Sequence, residues 1–291
     1  MYTVAILVTL FTFGAVFGSF AGAQVWRLRL RQLCADKRDG YEYDKADLER
    51  LQKVKADKLT EDRSRCLMCG HMLGLKDLVP LFSWLSTRGR CRYCGREIGA
   101  FEPAIEALTG VMFVFSYLFW PWGEVGGLGW ILFGVWLLVL VGFVILFAYD
   151  AKWKILPDIV NYSTIGLTFL FIALRFWLHD DVSLFSTLGA IGIFSGLYAA
   201  IYLVSRGNWI GLGDVKLGVT LGLLVADWQL AFLGLFLANL IGCVLVLPAY
   251  ITRQLASNSQ IAFGPMLIAG TLIAFFFGGD IIEWFLGIRF I

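Results

Sequence analysis

Eight apolar stretches, near residues 2–26, 102–120, 128–149, 160–178, 184–205, 215–226, 229–251 and 262–287, leave this chain very few folds to choose from. Most reach the roughly 17–25 residues that a helix needs to cross a bilayer. Lipid offers no partner to a backbone N–H or C=O, so spanning segments are either helices or closed barrels. These stretches are continuously apolar and do not alternate with period two, which argues against a barrel. The sixth is short. It reads either as a full span or as a half-length or tilted helix that includes Gly211–Asp214. Only 16% of residues are charged, against about 25% in soluble domains. The expected fold is an all-α polytopic membrane protein of about eight transmembrane helices.

The charge is concentrated in one place. Residues 27–100 hold 17 of the 24 Lys and Arg residues, which marks a soluble insert in an otherwise membranous chain. The implied division is a first transmembrane helix at 1–26, the insert at 27–101 and a seven-helix membrane domain at 102–291. A net charge of +2 gives no basic surface for nucleic acid. With eight spans, alternate connections share a side. Those carrying the insert, Lys152 with Lys154, Arg206 with Lys216, and Arg253 collect 22 of the 24 basic residues. The positive-inside rule puts that side in the cytoplasm and both termini outside. Arg175 and Arg289 are left near helix ends on the other side, where they can snorkel. The first stretch lacks a basic n-region and a small-residue cleavage site, so it is expected to remain as a helix. Within the insert, Leu48, Leu51 and Val54 form a thin apolar stripe with three-residue spacing. They predict a short amphipathic helix beside the cysteine module or the membrane surface.

Four of the six cysteines stand as Cys66-Leu67-Met68-Cys69 and Cys91-Arg92-Tyr93-Cys94. Two thiolates on a tight knuckle can face one ion, and a second knuckle completes a tetrahedron, so structural zinc is expected. Gly70 and Gly95 follow each knuckle, where the turn suits a positive φ. A pair of disulfides is the competing reading, and a reducing cytoplasm disfavours it. His71 is expected on the surface and not in the ligand set. Cys34 and Cys243 are solitary and carry no role.

Ionisable groups at the edge of a span are costly, and often functional. Asp150 closes the third stretch, and Asp214 ends Gly211-Leu212-Gly213-Asp214. By the charge pattern both lie at the cytoplasmic face. Two carboxylates at close range share a proton; the ionised one activates water while the neutral one polarises a scissile carbonyl. Gly211 and Gly213 would let a substrate backbone approach Asp214. Taken singly, each aspartate also reads as a helix cap or a partner of Lys152 or Lys216. Asp158, after Pro157, reads as a cap for the helix starting near Ile159. Asp180, Asp181, Asp227, Asp280 and Glu283 fall on the opposite face and are not expected to join the pair.

These motifs resemble, in order, those of the bacterial type IV prepilin peptidases. The resemblance begins at Gly18-Ser19-Phe20 and Arg27-Leu28. It continues through Arg63–Cys66, Cys69-Gly70-His71, Val79–Leu85 and Arg88–Gly95, then Pro103, Glu106 and Gly110. Asp150 with Leu156-Pro157-Asp158, Gly211–Leu217 and Phe263-Gly264-Pro265 complete it. The resemblance implies an aspartyl protease of the Gly-x-Gly-Asp type in the bacterial inner membrane. Its substrates would be prepilins or pseudopilins, whose basic leader is cut on the cytoplasmic side. It implies Asp150 and Asp214 as the catalytic pair and Cys66, Cys69, Cys91 and Cys94 as metal ligands. Many members also methylate the new N-terminus with S-adenosylmethionine. Here Ala21-Gly22 replaces the usual Leu-Asn, and Arg29 stands where the family often has Pro, both in the part associated with methylation. No stretch resembles a soluble methyltransferase's glycine-rich loop. Three rival readings are a transporter with a zinc-sensing domain, a structural pilus-assembly subunit and an archaeal preflagellin peptidase.

Overall fold

The computed structural model describes residues 2–53, 63–123, 125–179, 181–251 and 261–286. The expectations that touch Val54, Asp180, Arg253 and Arg289 fall outside these residues. Eleven helical segments follow in order: α1 (Tyr2–Asp39), α2 (Lys45–Gln52), α3 (Phe82–Ser86), α4 (Phe101–Leu118), α5 (Gly129–Trp153), α6 (Asp158–His179), α7 (Leu184–Ile191), α8 (Leu197–Ser205), α9 (Leu212–Val225), α10 (Trp228–Ile251) and α11 (Gly264–Leu286). Helices α7 and α8 are one rod joined by a π-helical turn at Gly192–Gly196. Among the described residues, β-structure is limited to two isolated bridges. Among the described residues, seven helices are long and apolar enough to cross a membrane: α1, α4, α5, α6, the α7–α8 rod, α10 and α11. The fold is all-α and polytopic, as expected.

The chain divides into two compact units, Met1–Ser116 and Tyr117–Ile291. In the first, α1 does not stop where its apolar stretch ends near residue 26. Its 38 residues make a rod of about 57 Å, nearly twice a hydrocarbon core of about 30 Å. The polar half carries the expected amphipathic helix. Asp44 caps α2 by accepting the Asp47 N–H at 3.0 Å. Leu48 and Leu51 bury against Leu33 of α1, with Leu67 of the first cysteine knuckle packed alongside.

In the second unit the short sixth stretch is α9, only 14 residues, or about 21 Å. It packs against α6, α7, the π-turn, α8, α10 and α11, so its surroundings are mostly protein. Gly218 and Gly222 permit this. A Cβ at Gly218 would stand 2.9 Å from the Ser195 Cα, and one at Gly222 2.6 Å from the Ile191 Cα. Small residues four apart let helix backbones touch in lipid.

The ends of α9 are located by polar contacts. At its start, Lys216 Nζ meets Asp158 Oδ1 at 2.6 Å, beside the start of α6. Just past its end, Asp227 accepts from Ser186 Oγ of α7 at 2.9 Å. Asp227 also caps α10 through the N–H groups of Gln229 and Leu230. Towards the far end of α6, Arg175 pairs with Asp181 at 2.9 Å. Trp122 Nε1 donates to the same carboxylate at 2.9 Å. Asp181 and Asp227 are thus each engaged in local contacts at these helix ends.

Candidate functional site

Asp150 lies in the last turn of α5, which ends at Lys154 in a left-handed cap. Its side chain is buried, 5% exposed, and Oδ2 accepts the Gly264 N–H at 3.0 Å. Phe263 opens α11, since the N–H groups of Met266 and Leu267 both bond its carbonyl. The Gly264 N–H is therefore one of the orphan donors at a helix N-terminus, and the carboxylate satisfies it. A Cβ at position 264 would stand 2.7 Å from that same oxygen, so only glycine fits undisturbed.

Asp214 is half-buried in the first turn of α9, whose first residues follow Gly211 in an extended conformation. Its N–H bonds the Gly211 carbonyl at 3.2 Å. Its carboxylate is within electrostatic range of Asp150 and of the buried Tyr198 on α8. The Tyr198 ring packs on Phe263, centroids 6.0 Å apart. Gly213 sits against Leu156: a Cβ there would reach the Leu156 Cβ at 2.9 Å. Gly211 has room for a Cβ, which would lie at an ordinary contact distance of 3.9 Å from Asp214 Oδ2. The two glycines thus differ. Packing requires the one at 213, and the one at 211 lies beside the carboxylate without being required by packing.

Asp158 does not join this pair. It is the first residue within α6, with Pro157 before it accepting the N–H bonds of Val160 and Asn161. Its carboxylate takes Lys216, whose ammonium also lies 4.9 Å from the Tyr162 ring centre. The pairing of Lys216 with Asp214, open from sequence, gives way to a pairing with Asp158. The structure adds two residues that sequence reasoning did not assign. Gly264 had signalled itself only as part of Phe263-Gly264-Pro265, and Tyr198 gave no signal.

In the first unit the thiols of Cys66, Cys69, Cys91 and Cys94 all lie within 4.8 Å of one another. The knuckles repeat each other. Gly70 N–H bonds the Cys66 carbonyl at 2.8 Å and Gly95 N–H that of Cys91 at 2.9 Å. Gly70 and Gly95 have φ of +72° and +69°, as the motif predicted. Burial pushes the Cys66 thiol up to about 11. Burial opposes ionisation of Cys91 too, but the backbone N–H groups of Cys94 and Tyr93 and the Cys66 thiol outweigh it and bring Cys91 down to about 7. Tetrahedral zinc with bonds of about 2.3 Å would hold four sulfurs about 3.8 Å apart, which fits this cluster. All six cysteines are free thiols. The exposed His71 stacks on Tyr93, ring centres 3.7 Å apart, and lies outside the cluster.

Residues 12–120 match the family model described as the bacterial peptidase A24 N-terminal domain. Residues 136–247 match that of the type IV leader peptidase family. A prepilin leader peptidase/N-methyltransferase of Dickeya chrysanthemi is 30% identical over 267 residues, 90% of this chain and 89% of that protein. One from Aeromonas hydrophila is 29% identical over 281 residues, 95% and 92% of the two chains. One from Bacillus subtilis strain 168 is 28% identical over 225 residues, 77% and 85%. No solved structure matches the chain significantly.

Proposed function

The chain belongs to the type IV leader peptidase family, and we propose that it is an intramembrane aspartyl endopeptidase with Asp150 and Asp214 as its catalytic pair. Its substrates are prepilins or pseudopilins, cut at the cytoplasmic membrane face where the basic leader meets the apolar segment. One observation carries the assignment. The start of α9 and the Asp150 site are brought together on Leu156, which packs against both Gly213, next to Asp214, and Gly264, whose N–H at the start of α11 fixes Asp150.

With one carboxylate ionised and one neutral, the ionised member takes a proton from a water, and the oxygen attacks the scissile carbonyl. The neutral member donates its proton to the carbonyl oxygen, which gives a tetrahedral diol. One carboxyl then gives its proton to the departing nitrogen while the other takes a hydroxyl proton from the collapsing diol, so the C–N bond breaks and the pair again holds a single shared proton. The Gly264 N–H keeps Asp150 in place throughout, and bare Gly211 leaves the substrate room beside Asp214.

Cys66, Cys69, Cys91 and Cys94 are proposed to hold a structural zinc ion, which would knit the insert together and take no part in cleavage. The N-methyltransferase half of the relatives' names suggests N-methylation with S-adenosylmethionine, readable as a mass increase on the cleaved pilin's new N-terminus. The uneven basic residues support a bacterial inner-membrane location with the insert and both aspartates in the cytoplasm.

The deciding experiment is leader removal from a purified prepilin by the reconstituted enzyme, followed by gel shift. Asp150→Asn and Asp214→Asn keep the side-chain shape and remove the acid, so each lowers the rate by roughly a thousandfold or more. Zinc content and membrane insertion should be unchanged in both variants. Cleavage at near wild-type rate by either one would sink the assignment.

A further inference from the structure

The insert exposes a run of apolar side chains that its own fold leaves uncovered. Leu75 is 87% exposed, Val79 45%, Phe82 67% and Leu85 65%. Phe82 and Leu85 sit three apart on α3 and share its outer side. A soluble surface seldom groups such residues so closely without a partner.

Glu106 indicates where they lie. It is a buried carboxylate on α4 that the proposed chemistry does not use. Its Oε2 accepts the Leu81 N–H at 2.7 Å, and α1 packs directly against Glu106 at Gly18, next to Ser19. Helix α4 has 18 residues, about 27 Å, and crosses a hydrocarbon core of about 30 Å with no length to spare. Glu106 is the sixth residue of that helix, about 7.5 Å from its start, and so stands inside the slab. Helix α1 agrees on the depth. Ser19 lies seven residues before Trp26, whose Nε1 meets Glu102 at 2.8 Å, and tryptophan favours the membrane–water boundary. The Glu106 bond therefore holds Leu81 at or below that boundary, with its neighbours at the same level. Leu81 has a φ of +59°, a strained conformation for a residue with a Cβ, and this bond helps to hold it. Lys76, Arg88, Arg90 and Arg96 are exposed close by in sequence, suited to anionic headgroups.

We propose that Leu75–Leu85 is a membrane-interface anchor, seated among the headgroups and upper acyl chains of the bilayer that α1 and α4 cross. The insert is then clamped against the membrane by the Glu106–Leu81 bond and by the lipid contact of Phe82 and Leu85.

The test uses the full chain with a benzophenone photo-crosslinking amino acid in place of Phe82, in vesicles of phosphatidylethanolamine and phosphatidylglycerol. The same probe in place of Phe169, 66% exposed on the spanning helix α6, and of Tyr41, 69% exposed on the insert, sets the two limits. Mass spectrometry should find lipid adducts at position 82 in a yield near that at 169 and roughly tenfold above that at 41. A yield at 82 no higher than at 41 would overturn the anchor. So would adducts formed with added prepilin in place of lipid, because the surface would then belong to the substrate.

Discussion

Asp150 was legible as a candidate because a carboxylate at the end of an apolar helix is expensive, and Asp214 because two glycines precede it. What holds Asp150 was not legible. The donor is the backbone N–H of Gly264, 114 residues away in sequence, and a backbone donor leaves no side-chain pattern to read. The glycine itself is the trace, since any Cβ there would stand 2.7 Å from the carboxylate oxygen. Gly264→Ala should leave the protein folded and zinc-loaded but displace Asp150, with a kcat loss of roughly 10- to 100-fold in the prepilin assay. An alanine variant with unchanged kcat would show that the fixed position of Asp150 is unimportant. Asp158 offers the contrasting case at the same scale. It forms an exposed pair with Lys216, and such pairs are worth about 0–1 kcal/mol. Asp158→Asn should therefore keep most of the cleavage rate, and a large loss would bring Asp158 into the catalytic group.

At the scale of elements, the cysteine module could be read almost entirely from sequence, because ligand spacing and knuckle glycines are local features. Its setting could not. The apolar stripe of α2 implied a partner, but only the continuation of α1 to Asp39 shows that the partner is Leu33 of the same rod. Leu67 joins this cluster from inside the first knuckle, so loss of the metal should loosen α2 as well as the knuckles. Elemental analysis should find one zinc per chain, with Cys66→Ser or Cys94→Ser abolishing it and Cys243→Ser leaving it intact. Protons compete with the metal for thiolates, so the metal should be retained at neutral pH and released as pH falls. Release should coincide with faster amide exchange in residues 45–52. A fully active preparation with no zinc would refute the structural role.

Across the whole molecule the unresolved point was the sixth apolar stretch, because 14 residues make a doubtful span when length is the only guide. Contacts within the second unit decide it. Helix α9 starts beside Asp158, at the Asp150 end, and α11 also starts there, at Gly264. Helix α10 is a full span that ends just before α11, so it must begin at the opposite end. The chain therefore runs from one end of these helices to the other within α9, whose last residue lies two positions before the Asp227–Ser186 contact at that opposite end. Composition left this open because α9 is enclosed by other helices and does not need to match the lipid thickness. Counting α9 with the seven long apolar helices makes eight, the parity on which the positive-inside argument rests. In sequence only α4 separates the insert from the 121–127 connection, so the proposed topology puts them on opposite sides and, through α4 and α5, Lys154 on the insert's side. In intact cells, a membrane-impermeant maleimide should label Gly126→Cys, whereas Tyr41→Cys should react only after permeabilisation. Labelling of a cysteine placed at Lys154 from outside would put Asp150 on the wrong face for a leader held in the cytoplasm, and the proposed site of cleavage would fall with it.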